Sequence, residues 1–253
     1  MSHQDKIVLI TGSGSGIGQV TAKLYAQEGA TVIVSDINEK GGEETRDAII
    51  AAGGKAVFMS SNVADYEAVK KLIADIVEQF GRLDVAVNNA GVANRKPQRT
   101  ADADVEDWDR VISVNTTGVF YCMKEELKQM MAQGGGSIIN IASIAGLRGL
   151  PNSLSYVASK HAVVGMTKTA AMEYARHNIR INAVCPVFTV TPMFQPDVMD
   201  QISEGLSRKL KSGVPMKRFA EASEMAEAIL WLGSDKASFI TGHALPVDGG
   251  LTA

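Results

Sequence analysis

Short runs of aliphatic and β-branched residues alternate with longer stretches of helical period along the sequence. This alternation is typical of βαβ units, in which helices cover both faces of a parallel sheet. Seven strands are predicted, at residues 6–11, 31–35, 55–60, 83–88, 137–142, 179–184 and 244–247. Six helices are predicted between them, at residues 17–28, 39–51, 66–80, 108–131, 153–176 and 223–232. The sequence therefore predicts an α/β protein with a doubly wound, seven-stranded parallel sheet.

No linker or shift in composition divides the sequence, so we expect a single domain over residues 1–253. The exception to the alternation is a segment at about 191–216, which we interpret as a lid over a substrate. The net charge of −3 gives no basic face for nucleic acid. Since no apolar run could cross a membrane, and Cys122 and Cys185 form neither a disulfide framework nor a metal site, we expect a cytoplasmic protein without metal or membrane partner.

A glycine-rich turn, Thr-Gly-Ser-Gly-Ser-Gly-Ile-Gly at residues 11–18, follows the first predicted strand and leads into the first helix. Glycines let the backbone approach a pyrophosphate closely, and the helix N-terminus attracts its charge. Ile17 and Gln19 stand where the strict G-x-G-x-x-G pattern has its third glycine, so the turn matches Thr-Gly-x-x-x-Gly-Ile-Gly instead. Its place between a strand and a helix, with an acid about 20 residues on, predicts a dinucleotide site in a Rossmann-type domain.

That acid is Asp36, at the end of the second predicted strand. Its carboxylate can accept hydrogen bonds from both hydroxyls of an adenosine ribose. It would repel a 2′-phosphate, and Ser13, Ser15 and Ile37 offer no cation to offset that repulsion. We therefore predict NAD rather than NADP. The alternative is that Asp36 only caps a helix that begins near Asn38.

Tyr156 and Lys160 stand four residues apart on a predicted helix, so their side chains share one face. A free tyrosine is a poor base near neutrality, but a neighbouring ammonium and a positively charged nicotinamide would lower its pKa. Tyr156 could then exchange a proton with the hydroxyl of an alcohol/carbonyl couple. Such a pair alone is usually solvated surface, so this interpretation depends on polar residues at the ends of neighbouring strands.

Ser143 follows the fifth predicted strand, and Asn-Asn-Ala-Gly at 88–91 ends the fourth. Ligands of open α/β sheets bind beyond the carboxyl ends of the strands, where both segments lie. We interpret Ser143 as a hydrogen-bond donor to a developing alkoxide or carbonyl oxygen. It does not fit an acyl nucleophile, because no G-x-S-x-G elbow surrounds it and neither His161 nor His177 has an evident orienting partner.

These motifs, with Asn115 and Val-Asp-Gly-Gly at 247–250, resemble those of the single-domain short-chain dehydrogenases/reductases, in the same order and over nearly the whole chain. The resemblance implies that Tyr156 is the acid/base and Ser143 the carbonyl anchor. It implies that Lys160 holds the nicotinamide ribose and modulates Tyr156. Asn115 would hold a water that links Lys160 to solvent as a proton relay.

The resemblance also implies where a nicotinamide cofactor binds. The adenosine ribose would lie against residues 89–91, the adenine against Val63, and the carboxamide region against Thr189 and Thr191. The predicted cofactor contacts are Gly12, Ser15, Gly16, Ile17, Gly18, Asp36, Ile37, Asn62, Val63, Asn89, Ala90, Gly91, Tyr156, Lys160, Pro186, Thr189 and Thr191.

Two positions depart from the family pattern. Asn62 stands where the family usually has Asp, and its amide oxygen can still accept a hydrogen bond from the adenine amino group. Val187 stands after Pro186, where the family normally has Gly, and its Cβ disfavours a positive φ beside the nicotinamide. The roles of Thr189 and Thr191 therefore depend on the path that the backbone takes here.

Residues 92–100, 144–152 and 191–216 are expected to surround the substrate. Their apolar side chains predict a pocket for a neutral, fairly hydrophobic secondary alcohol or ketone. Arg148 complicates this, because it either anchors a carboxylate or phosphate or lies in solvent or at a subunit contact. The predicted substrate contacts are Ser143, Arg148, Leu150, Tyr156, Phe188 and Met193.

Three functions are compatible with these residues. The first is an NAD-dependent alcohol dehydrogenase or ketone reductase. The second is a 3-oxoacyl carrier-protein reductase, against which Asp36 argues because that reaction usually goes with NADPH. The third is a non-catalytic NAD-binding sensor, which the presence of Ser143, Tyr156 and Lys160 disfavours. We expect a homotetramer, since the two longest predicted helices have more small and apolar residues than one sheet face needs and family members commonly pair through equivalent helices.

Overall fold

The computed structural model describes residues 3–253. They form the strands β1 (Ile7–Thr11), β2 (Thr31–Asp36), β3 (Lys55–Ser60), β4 (Val85–Asn88), β5 (Gly136–Ile141), β6 (Ile179–Pro186), β7 (Thr189–Val190), β8 (Ala220–Glu221) and β9 (Ala244–Val247). The main sheet has seven parallel strands in the order β3-β2-β1-β4-β5-β6-β9. The predicted seven-stranded parallel sheet is therefore confirmed, and a short parallel pair, β7 with β8, lies outside it.

The helices of the described residues are α1 (Gly16–Gln27), α2 (Glu39–Ala51), α3 (Tyr66–Phe80), α4 (Val105–Ile112), α5 (Val119–Gln133), α6 (Leu154–Tyr174), α7 (Pro196–Ile202), α8 (Leu206–Gly213) and α9 (Ala222–Gly233). The predicted helix at 108–131 is helical throughout, but it is not a regular α-helix along its whole length. Residues Ser113–Gly118 form a π-helical turn that joins α4 to α5. A π turn inserts one extra residue into a helix, and apolar spacing over so short a segment does not distinguish it from the α-helix around it.

Alternate residues of the central strands point into two separate cores. On one face Ile7 and Leu9 of β1 pack with apolar residues of α3, α5 and α6. On the other face Val8 and Ile10 pack with residues of α1, α2 and α9. All four side chains are buried, which explains why the strand reads as a continuous apolar run.

The strand order reverses between β1 and β4, which are neighbours in the sheet although β2 and β3 lie between them in sequence. At such a reversal the loops after the two strands turn toward opposite faces and leave a crevice at the carboxyl edge. The glycine-rich turn follows β1, and Asn89 follows β4. The topology therefore opens the crevice between the two motifs predicted to hold a dinucleotide.

The backbone after β6 does not take a positive φ at Val187, since the described non-glycine residues with positive φ are Asp5, Asn152, Asn178 and Lys217. The Val187 side chain is buried in a small core beneath the segment 191–216, lined also by Ile144, Val214, Ala220 and Met225. Its Cβ therefore contributes to packing and causes no backbone strain.

Residues 3–253, the part of the chain that the structure describes, contain neither a membrane-spanning helix nor a cluster of metal-ligating side chains. Within them, the helices are all too short or too polar to span a bilayer. Over the same residues no group of three or more His, Cys, Asp or Glu side chains is arranged to hold a metal ion. Cys122 and Cys185 are buried free thiols, and burial raises the pKa of Cys185 to about 11.

Candidate active site

Two glycines with positive φ shape the turn between β1 and α1, Gly12 at 64° and Gly16 at 57°. Residues with a side chain rarely adopt this region. A Cβ on Gly12 would lie 2.7 Å from the Cα of Ala90, closer than real contacts allow. The turn after β1 therefore lies directly against the loop after β4.

Side-chain hydrogen bonds hold these two loops together. The Thr11 hydroxyl accepts hydrogen bonds from the backbone N–H groups of Asn89 and Ala90, each at 3.2 Å. The Asn89 amide donates to the carbonyls of Thr11 at 3.0 Å and Gly12 at 2.8 Å. Gly18 lies beneath them, where a Cβ would overlap the Gly12 carbonyl oxygen. Asn89 and Gly18 thus fix the shape of the turn from behind.

Asp36 ends β2 beside this turn. Its Oδ2 accepts a hydrogen bond from the Gly14 N–H at 2.8 Å, and its Oδ1 accepts one from the Asn38 N–H at 2.8 Å. The N-cap of α2 is Asn38, whose side chain accepts from the Gly41 N–H at 3.3 Å. Asp36 is therefore not the cap of that helix, and its carboxylate faces the glycine-rich turn.

A cavity of about 430 Å³ runs along this edge of the sheet. Its wall combines backbone of the glycine-rich turn with the Asp36 carboxylate and the loop after β4, a combination suited to a pyrophosphate and a ribose. The predicted cofactor residues that line it are Gly12, Ser15, Gly16, Ile17, Asp36, Ile37, Asn62, Val63, Asn89, Ala90, Gly91 and Thr191. Met193, predicted as a substrate contact, also lines it.

Three lining residues, Thr11, Val92 and Pro192, belong to segments that were predicted to surround the cofactor or the substrate. The lining residues outside every predicted segment are Ser35, Ser61, Arg110 and Val114. Arg110 is the one cation among all residues described as lining it. Its Nη2 donates to Asp107 at 2.7 Å and to the Ala93 carbonyl at 2.6 Å. The carbonyl partner lies 17 residues earlier in the chain, so no local pattern could have identified this residue.

Some predicted cofactor residues lie outside the described wall of this cavity: Gly18, Tyr156, Lys160, Pro186 and Thr189. Thr189 is buried, and its hydroxyl donates to the Val187 carbonyl at 2.8 Å. Thr191, two residues on, does reach the cavity, and its Cβ lies 3.5 Å from where a Cβ on Gly16 would be.

Ser143 and Tyr156 come together from the end of β5 and the first turn of α6. Ser143 is buried, and its Oγ accepts a hydrogen bond from the Ala145 N–H at 3.1 Å. Burial raises the pKa of Tyr156, and a hydrogen bond with the Ser143 side chain works against that rise. The pKa of the phenol thus shifts upward in the protein alone, opposite to the lowering that the sequence predicted for the cofactor-bound pair.

Lys160 lies one turn after Tyr156 and is buried. Its Nζ donates to the Ile141 carbonyl at 2.7 Å and lies 5.7 Å from the centre of the Tyr156 ring. Burial lowers the pKa of Lys160 to about 8. The amine therefore has a proton that it can release close to neutral pH.

The π-helical turn presents Asn115 to the same place. Its Nδ2 donates to the Val92 carbonyl at 2.9 Å and to the Ser159 hydroxyl at 3.2 Å, and its Oδ1 accepts from the Val92 N–H at 2.8 Å. A Cβ on Gly91 would lie 3.3 Å from Asn115 Oδ1 and 3.6 Å from Lys160 Nζ. Asn115 and Lys160 therefore approach each other across Gly91, and π turns recur at functional positions of this kind.

The remaining predicted substrate residues lie on two loops. Arg148 is exposed and Leu150 half-buried in the loop after β5. Phe188 follows β6, where its ring stacks on that of Phe194 with centroids 5.4 Å apart and meets that of Phe219 at 6.5 Å. Phe188 thus contacts Phe194, near the start of the 191–216 segment, and Phe219, which follows its end.

Known proteins resemble this chain over nearly its whole length. A family model described as enoyl-(acyl carrier protein) reductase matches residues 12–252. Cyclohexanol dehydrogenase of Acinetobacter sp. is 44% identical over 249 residues, 98% of this chain and 96% of that protein. A 2,5-dichloro-2,5-cyclohexadiene-1,4-diol dehydrogenase of Sphingobium indicum is 44% identical over 252 residues, with coverage of 98% and 97%. A 3-oxoacyl-acyl-carrier-protein reductase of Thermotoga maritima is 41% identical over 251 residues, with 99% of each chain covered.

Solved structures agree with the fold. Levodione reductase is 38% identical with a TM-score of 0.92, covering 98% of this chain and 97% of that one. NAD+-bound xylitol dehydrogenase is 32% identical with a TM-score of 0.94, covering 99% and 100%. A Beutenbergia cavernae protein solved with NADP at low occupancy is 31% identical with a TM-score of 0.91, covering 99% and 98%. Together with the motifs and topology above, these matches establish that the chain belongs to the short-chain dehydrogenase/reductase family of oxidoreductases.

Proposed function

We propose that this protein is an NAD-dependent oxidoreductase that moves a hydride between nicotinamide and a secondary alcohol or ketone. The observation that carries the proposal is the convergence of Ser143, Tyr156 and Lys160 at the carboxyl edge of the sheet, near a cavity that suits a dinucleotide. When bound, the nicotinamide ring would supply the hydride acceptor or donor. The protein would hold the two reactants together and move the proton.

In this proposal Tyr156 takes the hydroxyl proton of the alcohol during oxidation and returns it during reduction. Ser143 donates a hydrogen bond to the same oxygen and stabilises the charge that develops on it. A charged Lys160 favours the phenolate and thereby opposes the burial that raises the pKa of Tyr156. Asn115, beside Lys160 across Gly91, orders the path by which Lys160 exchanges its proton with solvent.

The choice of NAD over NADP depends on the Asp36 carboxylate. Each of its oxygens accepts one backbone hydrogen bond, which leaves lone pairs for two ribose hydroxyls. A 2′-phosphate there would meet a negative charge, and the Arg110 guanidinium is already bonded to Asp107 and Ala93. Similar structures hold NAD+ in one case and NADP in another, so the preference for NAD depends on Asp36 itself.

For the substrate we propose a cyclic secondary alcohol or the matching ketone. Two of the relatives above are named as dehydrogenases of six-membered-ring alcohols, and Phe188 offers an apolar ring surface in the loop after β6. We also propose that residues 191–216, which include α7 and α8, form the substrate lid of a single catalytic domain. Pairing of β7 with β8 would hold the two ends of this lid together.

A second candidate is a 3-oxoacyl carrier-protein reductase, because a Thermotoga maritima relative has that name. The two functions differ in cofactor and substrate. Comparing NADH with NADPH on an acetoacetyl thioester, and NAD+ with NADP+ on cyclohexanol, would separate them.

The proposed chemistry is tested by Tyr156→Phe. The change removes one hydroxyl from a site that otherwise keeps its shape, so we expect turnover of cyclohexanol with NAD+ to fall by about 10²–10⁴-fold. NADH binding, followed by its fluorescence, should stay within about twofold of wild type because cofactor affinity does not depend on the proton transfer. Tyr121→Phe, at a half-buried position of α5, is the matched control. Near-normal turnover in the Tyr156 variant would reject the assignment.

A further inference from the structure

A buried polar network lies beneath the carboxyl ends of β4 and β5, and its acid has no role in the site described above. Glu126 on α5 is fully buried. Its Oε2 accepts a hydrogen bond from Asn88 Nδ2 at 3.0 Å, and the same nitrogen donates to Asn140 Oδ1 at 3.0 Å. The Asn140 amide donates to the Thr167 hydroxyl at 2.9 Å. The network thus joins α5, β4, β5 and α6 by neutral amides, a hydroxyl and one carboxyl.

Two acceptors of this network, Glu126 Oε1 and Asn88 Oδ1, are buried without a hydrogen-bond donor among the described residues. Leaving a buried polar atom unpaired is unfavourable. An ionised carboxylate offers only acceptors, so it cannot supply the missing donor. A proton on Glu126 turns one of its oxygens into a donor.

The surroundings of Glu126 do not offset a negative charge. Cys122, one turn earlier on α5, has a thiol whose pKa is raised by burial and by Glu126. Lys128 donates instead to Glu125 at 2.7 Å, as does Tyr66 of α3 at 2.6 Å. The groups that β4, β5 and α6 contribute are the uncharged amides and hydroxyl described above. Burial consequently raises the pKa of Glu126 to about 8, although the bond from the β4 amide opposes the rise.

We propose that protonated Glu126 is a positioning residue for the cofactor site. Asn88 is the last residue of β4, and the next three residues line the dinucleotide cavity. Asn140 is the cross-strand partner of Asn88. The next residue, Ile141, has the carbonyl that accepts a hydrogen bond from Lys160 Nζ at 2.7 Å. Glu126 therefore influences the position of the cavity wall through the Asn88 amide, and that of Lys160 through the Asn140 amide. The positioning role rests on the proposed cofactor site, whereas the protonation does not.

Protonation is tested by the pH dependence of unfolding. The pKa of Glu126 is about 8 in the folded protein, against a reference value of 4.5 for an unfolded chain. Its contribution to the free energy of unfolding is therefore fully present below pH 4.5 and is lost as the pH rises to about 8. The wild-type folding constant, relative to that of Glu126→Gln, should fall about tenfold per pH unit between pH 5 and 8. The free energy of unfolding of each protein is measured with urea at each pH. An equal pH dependence in wild type and Glu126→Gln over this range would overturn the protonation.

Glu125→Gln is the matched control on the same helix. Burial raises the pKa of Glu125, but the hydrogen bonds from Lys128 and Tyr66 outweigh it and lower that pKa. The contribution of Glu125 to the free energy of unfolding is therefore present above its unfolded pKa and is lost as the pH falls. This pH dependence is opposite in sign to that of Glu126. The control thus distinguishes the effect of removing the buried Glu126 carboxyl from the effect of removing any carboxyl from this helix.

The positioning role is tested by NADH binding, measured by fluorescence at pH 7. Glu126→Leu keeps the volume and removes the hydrogen bond, so we expect the NADH Kd to rise by about tenfold. Glu126→Gln, which can both donate and accept, should bind within about twofold of wild type. Wild-type affinity in a folded Leu variant would overturn the role. If the Leu variant does not fold, the NADH Kd of wild type and of Glu126→Gln is compared at pH 7 and pH 9. Both proteins contain Lys160, but only wild type can lose a proton from Glu126, so its Kd should rise more between the two pH values.

These readouts are independent of turnover. A wild-type protein that binds no NADH would reject the proposed function, and the unfolding curves would still decide the protonation. A protein that binds NADH but shows equal pH dependence of affinity in wild type and Glu126→Gln would reject the positioning role alone.

Discussion

Asp36 is the residue on which the proposed preference for NAD depends. Removing its carboxylate in Asp36→Ala should weaken NAD binding by about 10–100-fold, the usual worth of hydrogen bonds to a charged group. Adding Ile37→Arg should then favour NADP, because Ile37 is 69% exposed and lines the same cavity. The ratio of kcat/KM values for NAD+ and NADP+ measures both effects.

Glu39→Ala is the control for Asp36, since it removes a neighbouring exposed negative charge that is not among the described cavity-lining residues. Its cofactor ratio should match that of wild type. A wild-type protein with higher kcat/KM for NADP+ would contradict the assignment.

At the same scale, side chains that act within a local motif were the predictable ones. The glycine-rich turn, Asp36 and the four-residue spacing of Tyr156 and Lys160 could be read from the sequence because each depends on local backbone geometry. Arg110 and Glu126 could not, because the Ala93 carbonyl that Arg110 contacts and the Asn88 amide that Glu126 contacts lie in distant parts of the chain. The upward pKa shift of the Tyr156 phenol was also missed, since burial is a tertiary property.

At the scale of elements, the segment between β6 and β7 carries the next prediction. Val187 is only 8% exposed and packs beneath the proposed lid. Restoring the family's usual residue with Val187→Gly should therefore lower the free energy of unfolding by about 2–3 kcal/mol, through lost burial and added backbone entropy. NADH affinity should change less than about twofold, because the backbone here needs no positive φ.

Urea unfolding checks the loss, and Val190→Gly, in the exposed position of β7, is the control that should lose less. Tighter NADH binding in the Val187 variant would show instead that its Cβ obstructs the cofactor.

Strands and most helices were predictable because their apolar periodicity is local and strong. The π turn between α4 and α5 was not, because its six residues are too few for a shift in apolar spacing to stand out from the flanking helices. This turn brings Asn115 close to Lys160 and Gly91, within the proposed active site. The short pairing of β7 with β8 was also missed, because two-residue strands carry no period at all.

At the scale of the whole molecule, we propose assembly into a homotetramer. An apolar groove of about 730 Å³ lies between α5 and α6 and is lined in part by Phe120, Met131 and Met166. Phe120 is 48% and Met131 39% exposed, which is unusual for large apolar side chains that share one groove. Pairing of equivalent helices from two chains would bury them.

The assembly is tested by Phe120→Asp, which puts an unpaired charge into the proposed contact. Burying such a charge costs several kcal/mol, so the variant should dissociate to smaller species. Light scattering should give four times the 26.9 kDa chain mass for wild type and less for the variant. Ile50→Asp is the control, because Ile50 is 52% exposed on α2 and is not among the described lining residues of this groove. A monomeric wild-type protein would contradict the tetramer and leave the site unchanged, because the described contacts among Ser143, Tyr156 and Lys160 lie within one chain.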